Sequence, residues 1–369
     1  MLYVTTSTPR ERRHPRVGWA PAADGGASSR EARPGPRRAA ESEEFMKVRA
    51  RVLGSVLIAA SLVLAGCGGG DSGDGDKGKK ITVATQPDFF GVPLYFAVQK
   101  GFLKKQGLDA KLQKFPTGVE GTEAVATGQA DFTTVAGFPV VSLAARKAQV
   151  KVIGHNATSA KWWGFVTDGS ISEPSDLEGK TVGFQSNSTA NYWFDQFVAF
   201  HKLDRSKIKI VDAKFAQLVP TFAQGKANAI IHFEPNVSKA VASKSGAKVT
   251  WWGGDDNLLP FYGYVAAGPK VYKDKDTALR VLRGLRETAE YMKNNEAEVI
   301  KLAKELTGMT DDAQIKEILA QIDFSLAFDP KSVEQVQQIA DYQLQHKQIK
   351  ERVDAQSLVE ASWVSESEK

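Results

Sequence analysis

The sequence predicts an α/β protein built as two lobes, and three observations carry that prediction. Short β-branched runs alternate with helix-length segments along most of the chain, the periodicity breaks at two interior stretches, and 42% of the side chains are hydrophobic, ample for buried cores. At 369 residues, two compact bodies are preferred over one.

The chain begins with residues 1–45, rich in Arg, Pro, Ala and Gly and without apolar periodicity. Met46 then opens a different pattern: Lys47, Arg49 and Arg51 are followed by thirteen uncharged residues, Val52 to Leu64. A membrane span needs about 20 such residues, so the run fits the apolar region of a signal peptide over 46–66. It ends in Leu64-Ala65-Gly66-Cys67, which resembles the lipobox of bacterial lipoproteins and implies that Cys67 is the lipidated first residue of the mature chain. No core strand or helix follows that cysteine, only a run of Gly and Asp. A signal peptide 45 residues inside a chain is hard to present for export, so 1–45 is expected to be a mis-assigned extension, with initiation at Met46, which start-site mapping would read. Residues 67–80 have the composition of a flexible tether spanning on the order of 20 Å.

The folded body starts with the strand Ile81–Thr85, followed by a loop and the amphipathic stretch Pro93–Lys100. Further strands are expected at 110–115, 130–135, 150–155, 181–185, 208–211, 229–233 and 248–252, each separated by helix-length segments. Such alternation argues for largely parallel sheets whose strand-end loops line a crevice. The breaks near 167–176 and 260–269 read as joints between lobes. After them comes a tail with apolar residues at helical spacing over 276–294, 296–306, 311–322, 331–345 and 355–363. The simplest arrangement is a discontinuous first lobe, 81–168 plus 265–369, around an inserted second lobe, 169–264.

Charge and composition exclude several functions. Residues 1–66 hold 11 basic and 6 acidic side chains, which leaves 37 of each sign for the remainder. The basic character therefore belongs to the front end, and the neutral body gives no support for nucleic-acid binding. One cysteine cannot form an internal disulfide, and five histidines without ligand spacing make a metal site improbable; no cofactor is expected. The chain has neither a phosphate-binding Gly-x-x-x-x-Gly-Lys-Ser/Thr run nor a Gly-x-Ser-x-Gly elbow.

Four motifs then occur in order. They are Val92-Pro93-Leu94-Tyr95-Phe96-Ala97-Val98-Gln99-Lys100-Gly101-Phe102-Leu103-Lys104-Lys105-Gln106-Gly107-Leu108, Gly128-Gln129-Ala130-Asp131-Phe132, Asp176-Leu177-Glu178-Gly179-Lys180-Thr181-Val182-Gly183, and Glu234-Pro235. Together, over roughly 81–345, they resemble the nitrate/sulfonate/taurine-binding and pyrimidine-precursor-binding group of ABC-importer solute receptors. The resemblance implies a two-lobe, type II periplasmic-binding-protein fold with a ligand cleft between the lobes. It implies a small-molecule solute and a membrane ABC permease as partners, and a monomer lipid-anchored on the extracytoplasmic face.

Several residues are candidates for the ligand. The loop holding Ser186, Asn187, Ser188 and Thr189 precedes a helix whose free amides and dipole offer an anion site, although the same residues would serve a plain helix cap. In the resembling family the matching loop contacts the ligand head group. Gly137 and Phe138 open a second helix, as a ligand contact or a simple turn. Aromatic pairs at strand ends supply Phe89, Phe90, Trp162, Trp163, Tyr192 and Tyr262; adjacent residues cannot both face one side of a strand, so some must reach the cleft. Asp88 and Glu234 are the charged candidates, and Glu234 either accepts hydrogen bonds from an amine or fixes the turn before Pro235. No arginine falls in the expected cleft loops, and aromatic wealth tilts the ligand towards a planar organic molecule. The leading expectation is a non-enzymatic solute-binding lipoprotein; a receptor feeding a sensor and an enzyme on the same fold are the alternatives.

Overall fold

In the computed structural model, which describes residues 78–369, the β-branched runs form two separate five-stranded sheets. The expected extension, signal peptide and Cys67 lipidation site lie outside the described residues, as does most of the tether. The first lobe opens with β1 (Lys79–Thr85), α1 (Val92–Gln99), α2 (Phe102–Lys105), β2 (Leu108–Lys114), α3 (Gly118–Ala126), β3 (Phe132–Val135), α4 (Gly137–Ala145) and β4 (Lys151–Ser159). The second lobe holds β5 (Trp163–Thr167), β6 (Thr181–Phe184), α5 (Thr189–Phe200), β7 (Lys209–Asp212), α6 (Phe215–Ala223), β8 (Ala229–Phe233), α7 (Asn236–Ala242) and β9 (Lys248–Trp252). The chain returns to the first lobe in β10 (Phe261–Ala267) and ends in α8 (Pro269–Tyr272), α9 (Lys275–Asn294), α10 (Glu296–Thr307), α11 (Asp312–Leu319), α12 (Pro330–Gln345), α13 (Ala355–Leu358) and α14 (Ser362–Glu366).

The sheets are ordered β2-β1-β3-β10-β4 and β7-β6-β8-β5-β9. β1 runs parallel to β2 and β3, and β6 to β7 and β8, but β10 and β5 are antiparallel to their neighbours, so the sheets are mixed and not largely parallel. The reason is positional. β5 and β10 each follow a crossing between lobes and start at the edge where β1, β3, β6 and β8 finish.

Both faces of each sheet are covered. In the first, Ile81 and Val83 pack with Leu94, Val281 and Leu285 of α1 and α9, while the opposite face meets Val140 and Val141 of α4 and Val336 and Ile339 of α12. In the second, Val166 and Ile230 pack against Leu218, Phe222 and Val237 of α6 and α7, and Phe165, Phe184 and Ile231 against Trp193, Phe194 and Phe197 of α5. Each such side chain contributes about 1.5–3 kcal/mol relative to exposure.

The two crossings fall at 160–162 and 253–260, ahead of the joints read at 167–176 and 260–269, because Trp163–Thr167 and Phe261–Ala267 are themselves strands. They lie side by side: the Gly254 amide donates to the Ala160 carbonyl and the Gly253 amide to the Trp163 carbonyl, both at 2.8 Å. A Cβ on Gly254 would stand 2.5 Å from the Ala160 Cβ and 2.7 Å from its carbonyl oxygen. Away from the crossings, the Tyr342 hydroxyl of α12 donates to the Asp195 carboxylate of α5 at 2.6 Å, with its ring edge-on to Tyr192, and the Lys239 ammonium reaches the Thr307 carbonyl at 3.2 Å. These contacts tie the tail helices to the second lobe.

Replacing Gly254 with Ala forces the crossings apart, for a cost of about 1–3 kcal/mol. The melting temperature by circular dichroism should fall by several degrees; an unchanged value would remove the packing constraint. Tyr342→Phe removes a hydrogen bond to a charged group, worth roughly 1.5–3 kcal/mol, without altering the ring packing. Small-angle scattering of the ligand-free variant should show a larger radius of gyration, and an identical profile would show that the link does not hold the lobes together.

Candidate functional site

The carboxyl ends of β1, β3, β6 and β8 meet the starts of β5 and β10 across one cleft, so the loops after those strands form its walls. The cavity is about 240 Å³, below the roughly 300–1,000 Å³ of ordinary ligand pockets, which favours a small solute. The first lobe contributes Gln86, Asp88 and Phe90 after β1, Thr117 and Gly118 entering α3, and Ala136, Phe138 and Pro139 entering α4. The second contributes Trp163, Gln185, Asn187, Ser188, Thr189, Phe215 and Phe233. Trp162, in the first crossing, and Phe261, at the head of β10, close the floor between them.

The aromatic residues form one continuous wall. Trp162 stands edge-on to Phe90 with centroids 4.3 Å apart, stacks on Phe233 at 6.1 Å and tilts against Phe261 at 5.6 Å. Trp163 extends the wall through Phe233 at 5.2 Å and Phe215 at 5.9 Å. Such contacts add about 0.5–1.5 kcal/mol per pair beyond area burial and hold the rings in fixed planes.

Three helices, α3, α4 and α5, begin at the same cleft. Thr117 caps α3 by accepting from the Val119 amide at 3.1 Å, Ser188 caps α5 by accepting from the Asn191 amide at 3.4 Å, and Ala136 before α4 has no side-chain oxygen to offer. The first amides of a helix lack intrahelical partners and sit at its positive end. The indole N–H of Trp163 and Oε1 of Gln86 are buried without a hydrogen-bond partner among the described residues. Burial pushes the Asp88 carboxyl up to about 7, against the hydrogen bonds from Gly91, Phe90 and Gln86 that favour its charged form. Arg146 and Glu123 line the rim but pair with each other at 2.5 Å. The cleft thus offers polarised donors and aromatic faces, with no unpaired cation among its lining residues.

Of the fourteen residues expected at the ligand, eight line this cleft: Asp88, Phe90, Phe138, Trp162, Trp163, Asn187, Ser188 and Thr189. Six do not. Phe89 is buried behind the wall, edge-on to Trp162 at 6.4 Å. Gly137 faces α12, where a Cβ would meet Ile339 and Tyr264 at 3.2 Å. The Ser186 amide is held by Asp212 at 2.9 Å, and Tyr192 packs on Tyr342. Strand alternation puts Phe261 and Gly263 on the cleft side of β10, so Tyr262 turns away and donates to Asp329 at 3.1 Å. Glu234 is drawn to its own helix, accepting from the Ser238 amide at 3.2 Å and hydroxyl at 3.0 Å. It lines a separate cavity against α11, where burial raises its carboxyl to about 7.

Gln86, Thr117, Phe215, Phe233 and Arg146 escaped the sequence reading, and of the pair Phe261-Tyr262 it chose the member that turns away. Thr117-Gly118-Val119-Glu120 is a capping-box pattern that marks a helix entry, and alternation along β10 selects Phe261 over Tyr262. Arg146 had no such signal: it lies at the far end of α4, and only the fold brings it to the rim.

The family model described as NMT1/THI5 like matches residues 87–299. A Bacillus subtilis protein named for aliphatic sulfonate binding is 25% identical over 321 residues, covering 85% of this chain and 95% of the relative. Among solved structures, the periplasmic aliphatic sulphonate binding protein SsuA of Escherichia coli has a TM-score of 0.67 at 20% identity, over 76% of this chain and 91% of that one. The alkanesulfonate-binding protein SsuA of Xanthomonas axonopodis pv. citri, bound to MOPS, has a TM-score of 0.64 at 19% identity, over 76% and 97%. The fold is therefore that of the periplasmic binding proteins, two α/β lobes with a helical C-terminal tail. With a family match across more than half of its length, the chain belongs to the NMT1/THI5-like family.

Proposed function

We propose that the protein is the solute-binding component of an ABC importer, a monomer held on the extracytoplasmic face of the membrane by a lipid on Cys67. In this reading it closes its lobes over a small organic anion with a planar or apolar body and passes it to the permease. The observation that carries the reading is the cleft itself: three helix entries and a continuous aromatic wall line one cavity. A sulfonate head has three oxygens and one spread negative charge, which suits several amide donors without a guanidinium. The relatives named for sulfonate binding support the same class, and as binding proteins they favour a non-catalytic role.

Glu234, the acid expected to receive an aminated heterocycle, is turned into another cavity, so such a solute would have to be met by Asp88 alone. Both lobes supply lining residues, so a bound solute stabilises the closed arrangement by its differential interaction with closed and open states.

Thermal-shift screening tests the solute class. Benzenesulfonate at 100 times its Kd should stabilise by about 2.7 kcal/mol, raising the melting temperature by roughly 5 °C or more, with methanesulfonate weaker and nitrate weakest. A response to aminopyrimidines alone would overturn the anion reading. For the anchor, Cys67→Ser should move the protein from the membrane fraction to the soluble fraction; retention in the membrane would remove the lipid from the account.

A further inference from the structure

Asp88 lines the cleft, is half-buried, and has no ion-pair partner among the described residues. It caps the short turn Phe89–Gly91, its Oδ1 accepting the Gly91 amide at 2.9 Å. Phe90, two residues on, belongs to the aromatic wall, so the carboxyl sits where a planar body and its polar head would meet.

The charged groups on the elements around it are engaged elsewhere or lie outside its reach. Glu123 of α3 and Arg146 of α4 pair at the rim, and Lys161 of the crossing lines the separate cavity near α11. α10, which packs on the Phe89–Gly91 turn, carries Glu296, Glu298 and Lys304, paired with Lys316, Lys100 and Asp312, together with Lys301 and Glu305. Lys214, before α6, is not among the lining residues. Burial, not a neighbouring charge, is what raises the Asp88 carboxyl.

We infer that Asp88 meets the solute as a neutral carboxylic acid and donates a hydrogen bond to an anionic oxygen of the solute. The step takes one proton from solvent: ionised Asp88, a proton and the anion become a carboxylic acid hydrogen-bonded to that anion, with no covalent change to the solute. The inference rests on the solute being an anion, as proposed above. It adds a selectivity rule, since a carboxyl in this position repels an anion when ionised and welcomes it when protonated. Capture is therefore coupled to pH across the range where the free carboxyl titrates, near 7.

Isothermal titration of the full protein with benzenesulfonate and methanesulfonate, in buffers of different ionisation enthalpy, reads proton uptake directly. Between pH 6 and pH 8.5 the Kd should weaken about thirtyfold, with net uptake approaching one proton at the higher pH. Asp88→Asn keeps the capacity to cap the turn, so the fold is retained, and its affinity should be independent of pH and tighter than that of the unaltered protein at pH 8.5. Glu234 also titrates near 7 but is intact in this variant, so loss of the pH dependence assigns it to Asp88. Binding with a constant Kd and no proton uptake overturns the inference while leaving the anion reading in place. Affinity that rises above pH 7 overturns it in favour of a cationic or donor solute. Failure of both sulfonates to bind at pH 6 overturns the proposed function, and the inference with it.

Discussion

The architecture depends on two crossings of the chain that lie against each other with no room between them. Gly253 and Gly254 are hydrogen-bonded to the backbone at Trp163 and Ala160, and a side chain at 254 would overlap Ala160. Because the crossings touch, β5 and β10 start at one shared edge, and the strand ends of both sheets face each other across it. Trp162, within the first crossing, then becomes the point on which the aromatic wall is assembled, touching Phe90 from one lobe and Phe233 from the other. The site follows from the joint.

Much of this was legible in the sequence, for physical reasons that can be stated. Strands buried on both faces, such as Ile81–Thr85 and Ala229–Phe233, are dense in β-branched residues, and the tail helices repeat apolar residues at helical spacing. The strand β10 escaped because its aromatic and Gly-containing sequence read as a joint, and β5 because its short Trp-Gly-Phe run was not read as a strand ahead of the break at 167–176. Nothing local announces that they insert antiparallel between strands of other origin. Loop position brought Asp88, Phe90 and Asn187 into the cleft lining, but sequence cannot say where a side chain is drawn by its own helix. Glu234 shows the limit: a serine one helical turn on, Ser238, satisfies it locally and removes it from the cleft.

Charge is handled sparingly at the cleft. The one cation among the lining residues is neutralised by Glu123, and the donors the helix entries offer are dipoles, their first backbone amides. Dipoles held by helices are already oriented, so they lose little on meeting a ligand, and they avoid the large desolvation cost of a buried guanidinium.

The order of strands in the first sheet has a consequence for how the chain acquires its structure. β10 lies in the interior, between β3 and β4, yet residues 160–260, the second lobe and both crossings, separate it from β4 in sequence. Until it arrives, β3 and β4 have no shared partner, and the sheet cannot close. Pairings of such long sequence separation carry a large loop-closure entropy and form late. The second lobe, whose sheet is built from one continuous stretch of chain, is free of this constraint, so the two lobes differ in how much of the chain each needs before its sheet can close.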